Sequence, residues 1–419
     1  MKSNVSFFIA SGIQAKTSSK VHTRHFLCLT IYKVSELIYF LSGASDNIGD
    51  SFYNVALLLG LVEVYHIKAD ALSLFALLGM IPSMFAFLYS PLLARIKRTK
   101  EWLFIFRTLY LVLVVLVIIS FYYKVAIGYI YVYNILFSMI SCIQGALQMR
   151  LVPEALENDS ELIERSVDIQ YFTGNTLDIL SNFVASLVLG LMSYLGLLQL
   201  SLPFLVLGII FIVQLKTSRA LLQPTTEKLP PLKSLVGYIS KFFKQKQASQ
   251  IIVIEAFLSG ALDLLVTLAP LYLISLHIDV KWLGLVIAVQ QAADFTGALL
   301  APYVSLEHHR FFCIDYIFSG TAFLLLFLVP QLYLKLILLF LGFVLIGISG
   351  NIFEKMIYKE YRQLDFSIVS TLITSLYSFF GIIFLLLTQV YSNIIVLGIV
   401  LNILTLLFGI AIYHQSPNS

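Results

Sequence analysis

The chain has 419 residues, of which 59% are hydrophobic and only 12% charged, with a net charge of +4 at pH 7. Soluble domains carry roughly 25% charged residues, so a string of soluble domains is excluded and a polytopic membrane protein is implied, in line with a mean hydropathy of +0.92. The small positive balance reflects loop bias and points to no nucleic-acid partner.

Residues 1–35 read as a cytoplasmic N-terminal tail, because their apolar core is too short and broken for a secretory signal. A span needs about 20 apolar residues. Twelve segments meet that need: 36–65, 70–94, 102–123, 126–148, 167–193, 195–215, 249–276, 282–305, 310–330, 332–353, 366–390 and 393–413. Between the sixth and seventh lies 216–248, a connector with three prolines and seven Lys or Arg. It divides the chain into an N-terminal half (36–215) and a C-terminal half (249–413), followed by a short tail, 414–419. After Pro230–Pro231, the residues Leu232, Leu235, Val236, Ile239, Phe242 and Phe243 recur at helical spacing with lysines opposite. This predicts an amphipathic helix lying on the inner leaflet. Cys28, Cys142 and Cys313 are far apart and read as small buried residues.

Lys and Arg in the connectors set the orientation. With the N-terminus inside, the inner segments hold 22 of them. The outer loops hold four: Lys68, Lys124, Lys281 and Lys335. Both termini are therefore expected in the cytoplasm, in a multi-pass protein of the cell membrane. Arg107 lies inside span three and is expected to snorkel to the cytoplasmic surface.

The two halves echo each other. Span two ends in "FLYSPLLARIKRTKEWLFIFR" and span eight in "LLAPYVSLEHHRFFCIDYIF", with Pro91 and Pro302 near the cytoplasmic end of each. Span four runs into "MRLVPEALENDSELIERSVDIQYF" and span ten into "EKMIYKEYRQLDFSIVSTLITSLY". Repeats in the same orientation are a transporter plan. In their order and spacing, "FLSGASDNIGDSFYNVALLL" in span one, "LLGMIPSMFAFLYSPLLARIKRTKEWL" across spans two and three, "LVPEAL" after span four and "PPLKSLVGYISKFFKQKQASQIIVIEAFLSGALDLL" into span seven resemble the major facilitator superfamily, its drug-efflux, macrolide-exporter-like branch, over roughly residues 36–413. The resemblance implies an all-α membrane protein, with twelve transmembrane helices as two six-helix pseudo-symmetric halves. It also implies a gating loop after span two. There the family's Gly, Asp and second Gly are replaced by Ser90, Ala94 and Lys97, and only Arg95 and Arg98 remain. The Gly-Pro-rich antiporter motif of span five is absent from "GNTLDILSNFVASLVLG".

Charge inside hydrocarbon costs at least a few kcal/mol per group, so intramembrane carboxylates are candidate sites. At about 100° per residue, Gly43, Asp46, Asn47, Asp50 and Asn54 fall in one arc of roughly 100° on span one. On span five, Asp168, Tyr171, Asn175, Asp178 and Asn182 fall in roughly 80°. The C-terminal half offers Glu255 and Asp263 on span seven, Gln290, Gln291 and Asp294 on span eight, Asp315 on span nine, and Asn351 and Glu354 at the end of span ten. Asp46, Asp50, Asn54, Asn175, Asp178, Asn182, Asp263, Gln290 and Asp294 are the candidates for proton coupling or cavity lining, and Asp50 leads them. The same residue types also staple helices to each other, and the sequence leaves both roles open. Glu36, Glu63, Asp168 and Glu354 sit near span ends and are expected at the interface. Phe52, Tyr53, Tyr171, Phe172 and Tyr377 could line a cavity. His308–His309 reads as solvated.

No Walker motif, zinc-peptidase motif or other catalytic set occurs, so neither enzymatic activity nor a cofactor nor a metal is expected. The expectation is a monomeric secondary transporter working by alternating access, exporting a small hydrophobic or amphipathic compound such as a drug, macrolide or antimicrobial, driven by protons. Export is implied by the resemblance alone. Proton-coupled uptake of a small metabolite, or a non-transporting protein with an immunity or sensory role, remains open beside it.

Overall fold

In hydrocarbon each backbone N–H and C=O must find a partner within the chain, so long apolar runs can only be helices or closed barrels. The computed structural model describes residues 18–66, 69–156, 159–189, 192–215, 231–276, 283–391 and 393–415, and these are almost wholly helical. The helices are α1 (Ser18–Tyr65), α2 (Ala69–Met84), α3 (Ser90–Leu93), α4 (Thr99–Tyr122), α5 (Ile127–Ala155), α6 (Ser160–Leu189), α7 (Tyr194–Gln214), α8 (Pro231–Lys244), α9 (Lys246–Ser275), α10 (Leu283–Leu300), α11 (His308–Leu328), α12 (Leu332–Glu360), α13 (Phe366–Val390) and α14 (Ile394–Gln415). Ten stretches among the described residues are long and apolar enough to cross a membrane. The stripe-bearing α6 and the shorter α10 complete the twelve spans. Helix α1 begins at Ser18, so the boundary read at residue 35 is not a break in the chain. Residues 1–17, the first part of the mid-chain connector (216–230), the end of the C-terminal tail (416–419) and the side chains of Asp178 and Asn182 lie outside what is described.

The two halves repeat. In the N-terminal half α1 packs on α6 and α7, α2 on α5, and α4 on α5 and α7. In the C-terminal half the equivalent pairs are α9 on α13 and α14, α10 on α12, and α11 on α12 and α14. The proline echo is a structural repeat as well. Proline has no N–H for the helical ladder, and both second spans tighten into 3-10 turns beside it. These are Ala86–Tyr89 leading to Pro91 in α3, and Ala301–Tyr303 around Pro302. The connector after the fourth span of each half carries an aspartate at the next helix start. Asp159 Oδ1 accepts from the backbone N–H of Glu161 (2.9 Å), and Asp365 Oδ1 from that of Ser367 (2.9 Å). A carboxylate there satisfies open N–H groups and meets the positive end of the helix dipole.

The near end of the bundle is the one that carries the connectors 94–98, 156–159, 304–307 and 361–365; the far end is opposite. One hydrophobic cluster joins both halves at the near end, running from Val152, Leu156 and Ile163 to Met356, Tyr361 and Val369. Towards the far end the clusters belong to one half each, around Tyr53, Leu61 and Phe121 or around Leu264, Tyr272 and Phe384. The halves meet through α5 and α2 against α13, and through α6 against α10 and α12. These too are pairs related by the repeat.

The mid-chain helix α8 departs from its expected placement. Leu235, Tyr238 and Phe242 are buried in the cluster that joins the halves. Phe242 stacks on Tyr361 (ring centroids 4.9 Å apart). Its main apolar face therefore covers protein, not lipid, while Val236 and Phe243 stay exposed.

Candidate functional site

The carboxylates of span one are tied within the N-terminal half. Asp46 forms an ion pair with Arg107, which also donates to Ser42 Oγ (2.5 Å) and to the carbonyl of Gly208 (3.0 Å). Ser42 Oγ in turn donates to the Gly208 carbonyl at 2.9 Å. The knot joins α1, α4 and α7. Its closeness depends on Gly208, since a Cβ there would overlap the Asp46 carboxylate. Arg107 does not snorkel: it is 4% exposed. Its guanidinium fork has acceptors at hand inside the bundle, and these replace the water it would otherwise seek. Asp50 accepts from the hydroxyl of Tyr110 on α4. Tyr110 lies against Phe137, which also stacks on Tyr53 (4.6 Å). Phe52 packs edge-on against Phe204, so Phe52 and Tyr53 serve the N-terminal core and do not line the cavity described next. Asn54 is exposed; Asn175 is half-buried, one turn beyond Tyr171 on α6.

The cavity lies in the other half. It measures about 520 Å³ and is walled by α9, α11, α12 and α14, with Gln290 from α10 and Tyr377 from α13. Among the described residues, Tyr171 is the one that lines it from the N-terminal half. Most of the wall is apolar, including Leu258, Leu262, Leu265, Phe323, Phe327, Leu339, Phe343 and Leu401. Two carboxylates face into it, Glu255 and Asp315. Tyr316 Oη donates to Glu255 Oε1 (2.7 Å). Asp315 is 3% exposed, and its Oδ1 has no hydrogen-bond partner among the described residues. Lys335 also lines the cavity. The sequence places it in an outer loop, but it stands in the first turn of α12, buried. Its ammonium donates to Tyr272 Oη (2.7 Å) and to the Leu326 carbonyl (2.6 Å). Those acceptors let the first turn of α12, which begins where span ten was read, hold a charge. Of the remaining candidates, Gln290 lines the cavity, Asp294 is half-buried on α10, and Asp263 is exposed on α9. Glu255 and Asp315 were visible in the sequence as intramembrane acids; what was missing was which face of each helix met open space.

Among the described residues, two ion pairs join the halves at the near end, and they too follow the repeat. Arg150 on α5 pairs with Asp365 at the start of α13 (3.1 Å) and with Glu154 one turn on (3.0 Å), which accepts from Thr99 (2.8 Å). Lys355 on α12 pairs with Asp168 on α6 (2.5 Å), and Asn351 donates to the same carboxylate (3.0 Å). Asp168 is thus engaged with the opposite half, where the sequence suggested an interfacial group. One turn farther along α6, the Tyr171 hydroxyl rests on Gly350, where a Cβ would collide with it. Phe172 meets Phe295 (5.6 Å), and the backbone N–H of Phe87 donates to Ser375 Oγ (2.9 Å). The expected gating arginines take no part. Arg98 pairs with Glu101 on its own helix and is 70% exposed, and Arg95 is exposed. The connector 94–98 holds no acid, and the closing charges come from α5, α6, α12 and the start of α13 instead. His308 lies 3.5 Å from Glu360, so it is not simply solvated.

No protein-family model matches the chain, and no curated protein sequence matches it. Solved structures do resemble it. The human organic anion transporter MFSD10 (TETRAN) superposes with a TM-score of 0.70 at 13% identity, over 91% of this chain and 99% of that one. A bacterial homologue of the iron transporter ferroportin in an outward-facing state gives 0.70 at 13% identity, over 91% and 99%. The major facilitator transporter FucP in its outward conformation gives 0.70 at 13% identity, over 92% and 99%. At such identity the likeness is one of fold. The protein is an all-α membrane protein with the twelve-helix, two-half architecture of the major facilitator superfamily.

Proposed function

We propose that the protein is a secondary active transporter that works by alternating access and exports hydrophobic or amphipathic compounds, driven by a proton gradient. The observation that carries this reading is a cavity of about 520 Å³ with apolar walls and two carboxylates, half-buried Glu255 and buried Asp315, in a bundle whose halves are joined at the near end. Binding sites for such ligands commonly measure ~300–1,000 Å³ and combine apolar walls with a few polar groups. The basic connectors are expected at the cytoplasmic face, and on that orientation the described state is closed towards the cytoplasm. Turning inward then requires the Arg150–Asp365 and Asp168–Lys355 pairs to part while the far ends of the halves close.

Coupling is assigned to Glu255 and Asp315 rather than to Asp50. A coupling carboxyl must gain and lose a proton as the cavity changes sides, and must feel the substrate. Glu255 and Asp315 border the cavity, whereas Asp50 is engaged by Tyr110 outside it. Tyr171 touches the cavity and sits one turn from the Asp168–Lys355 pair, so it is the route by which occupancy reaches the latch.

Uptake of a metabolite is the second reading. FucP and XylE, which share the fold, are proton symporters of fucose and xylose. A sugar calls for many convergent hydrogen-bonding groups, and the mostly apolar wall favours the first reading. Expression in a susceptible bacterium, with a compound panel and dye-efflux assays, tests both. Resistance that collapses with a protonophore and in Glu255→Gln and Asp315→Asn supports proton-driven export. Resistance indifferent to all three overturns the coupling assignment. Accumulation in place of efflux supports uptake, and no transport of any compound supports an immunity or sensory role.

A further inference from the structure

A second, smaller pocket lies on the outside of the C-terminal half, where α8, α9 and α14 meet at the near end. It measures about 220 Å³ and is lined by Phe243, Ser249, Gln250, Val253, Ile254, Ala411 and Ile412. We propose that this groove is a binding site for one anionic phospholipid, with an acyl chain between α9 and α14 and the headgroup phosphate on Lys244 and Lys246.

The register of α9 places the two parts in line. Lys246, Gln250 and Val253 stand at i, i+4 and i+7, which is one face of a helix. That face passes from charge through amide to apolar surface, in the order of a lipid from headgroup to tail. Ser249, on the same side, is buried with its hydroxyl returned to the Lys246 carbonyl (3.1 Å), so the groove floor is neutral. Phe243, 46% exposed, forms the lip, and Lys244 follows it in the chain. Lys241, Lys244 and Lys246 are all exposed, and none forms an ion pair among the described residues. Among the described residues, no acidic side chain lines the groove. A zwitterionic lipid would fill the apolar part equally well; the lysines select for net negative charge.

The site also bears on α8. That helix touches α3 of the N-terminal half as well as α9 and α13 of the C-terminal half. A lipid bridging Phe243 and α14 would hold the end of α8 against the C-terminal half, in the state whose near end is closed.

The test uses the full chain in a neutral detergent, with phosphatidylglycerol or phosphatidylcholine added at equal mole fraction. Retained lipid is counted by native mass spectrometry and thermal stability is read in parallel. Wild type should retain one phosphatidylglycerol in preference to phosphatidylcholine and gain more stability from it. Two lysines beside an anionic headgroup correspond to roughly 30-fold in affinity. Lys244→Gln/Lys246→Gln should lose that preference while its lipid-free stability stays unchanged, since both side chains are exposed. Ala411→Phe should fill the groove and lower retention of both lipids. Equal retention of the two lipids by wild type, or full preference in the double lysine variant, overturns the proposal. So does glycerol phosphate stabilising the protein as well as the lipid does, because the groove would then be idle.

Discussion

The two halves share one architecture but use their buried polar groups in opposite ways. In the N-terminal half they face each other. Asp46 meets Arg107, which also donates to Ser42 and to the Gly208 carbonyl; Asp50 meets Tyr110; Ser181 donates to Ser51 (2.9 Å); Asn134 donates to the Phe75 carbonyl (2.7 Å). In the C-terminal half Glu255, Asp315, Gln290 and Lys335 face a cavity. One half is a stapled frame and the other a container, and acidic residues are abundant in both. An intramembrane carboxylate is therefore no sign of a transport site until its neighbours are known. A carboxylate paired with a cation that is itself bonded to two more helices contributes to helix association. One with an unpartnered buried oxygen beside open space is placed to take up something else.

The sharpest break of this contrast is at the staple. Arg107→Ala leaves Asp46 unpaired, and removing one partner of a buried pair costs about 3–5 kcal/mol. The folded yield in detergent should fall steeply, and Asp46→Ala/Arg107→Ala should recover part of it. Gly208→Ala should act through the same knot, by roughly 1–3 kcal/mol of overpacking, read as a lowered unfolding temperature. Next comes the opposite pairing of effects: Asp50→Asn should lower stability more than transport, and Glu255→Gln transport more than stability. Measuring both properties in both variants sharpens the comparison, and a reversed pattern breaks it.

A smaller effect is expected at the latch. Arg150→Asp should raise labelling of a cysteine introduced at the near end, and Arg150→Asp/Asp365→Arg should bring it partly back. Glu154 also pairs with Arg150 and limits the recovery. The smallest effect belongs to Arg98→Ala. An exposed i,i+3 pair is worth at most about 0.5–1 kcal/mol, so transport and unfolding temperature should be unchanged within error.

Much of the fold was legible in the chain. Span limits read from hydropathy lie close to the helix limits for most spans, because burial in lipid demands continuous apolar length and little else. The Pro91–Pro302 echo and the connectors after spans four and ten foretold the repeat, since proline and helix-capping aspartate act locally. The candidate site was legible only in part. Of the stripe Asp46–Asp50–Asn54, Asp46 and Asp50 turn inward, but inward is also where α4 and α7 stand, and Asn54 is exposed. Lys335 and Arg107 were each misplaced for one reason. A lone cation in an apolar run looks costly until a tyrosine hydroxyl, a backbone carbonyl or an aspartate from a distant helix meets it.

Composition, span length and proline position alone determined that this is a twelve-helix, two-half membrane protein with its basic connectors at one end. These depend on the free energy of transfer of each segment and on local backbone chemistry, which neighbours in sequence settle. Tertiary structure alone decided which acids are staples and which border space, and that Arg150, Asp168, Lys355 and Asp365 close the near end in place of the loop at Arg95 and Arg98. Those outcomes depend on which helix faces meet, and a pairing across more than a hundred residues leaves no periodic trace in either partner.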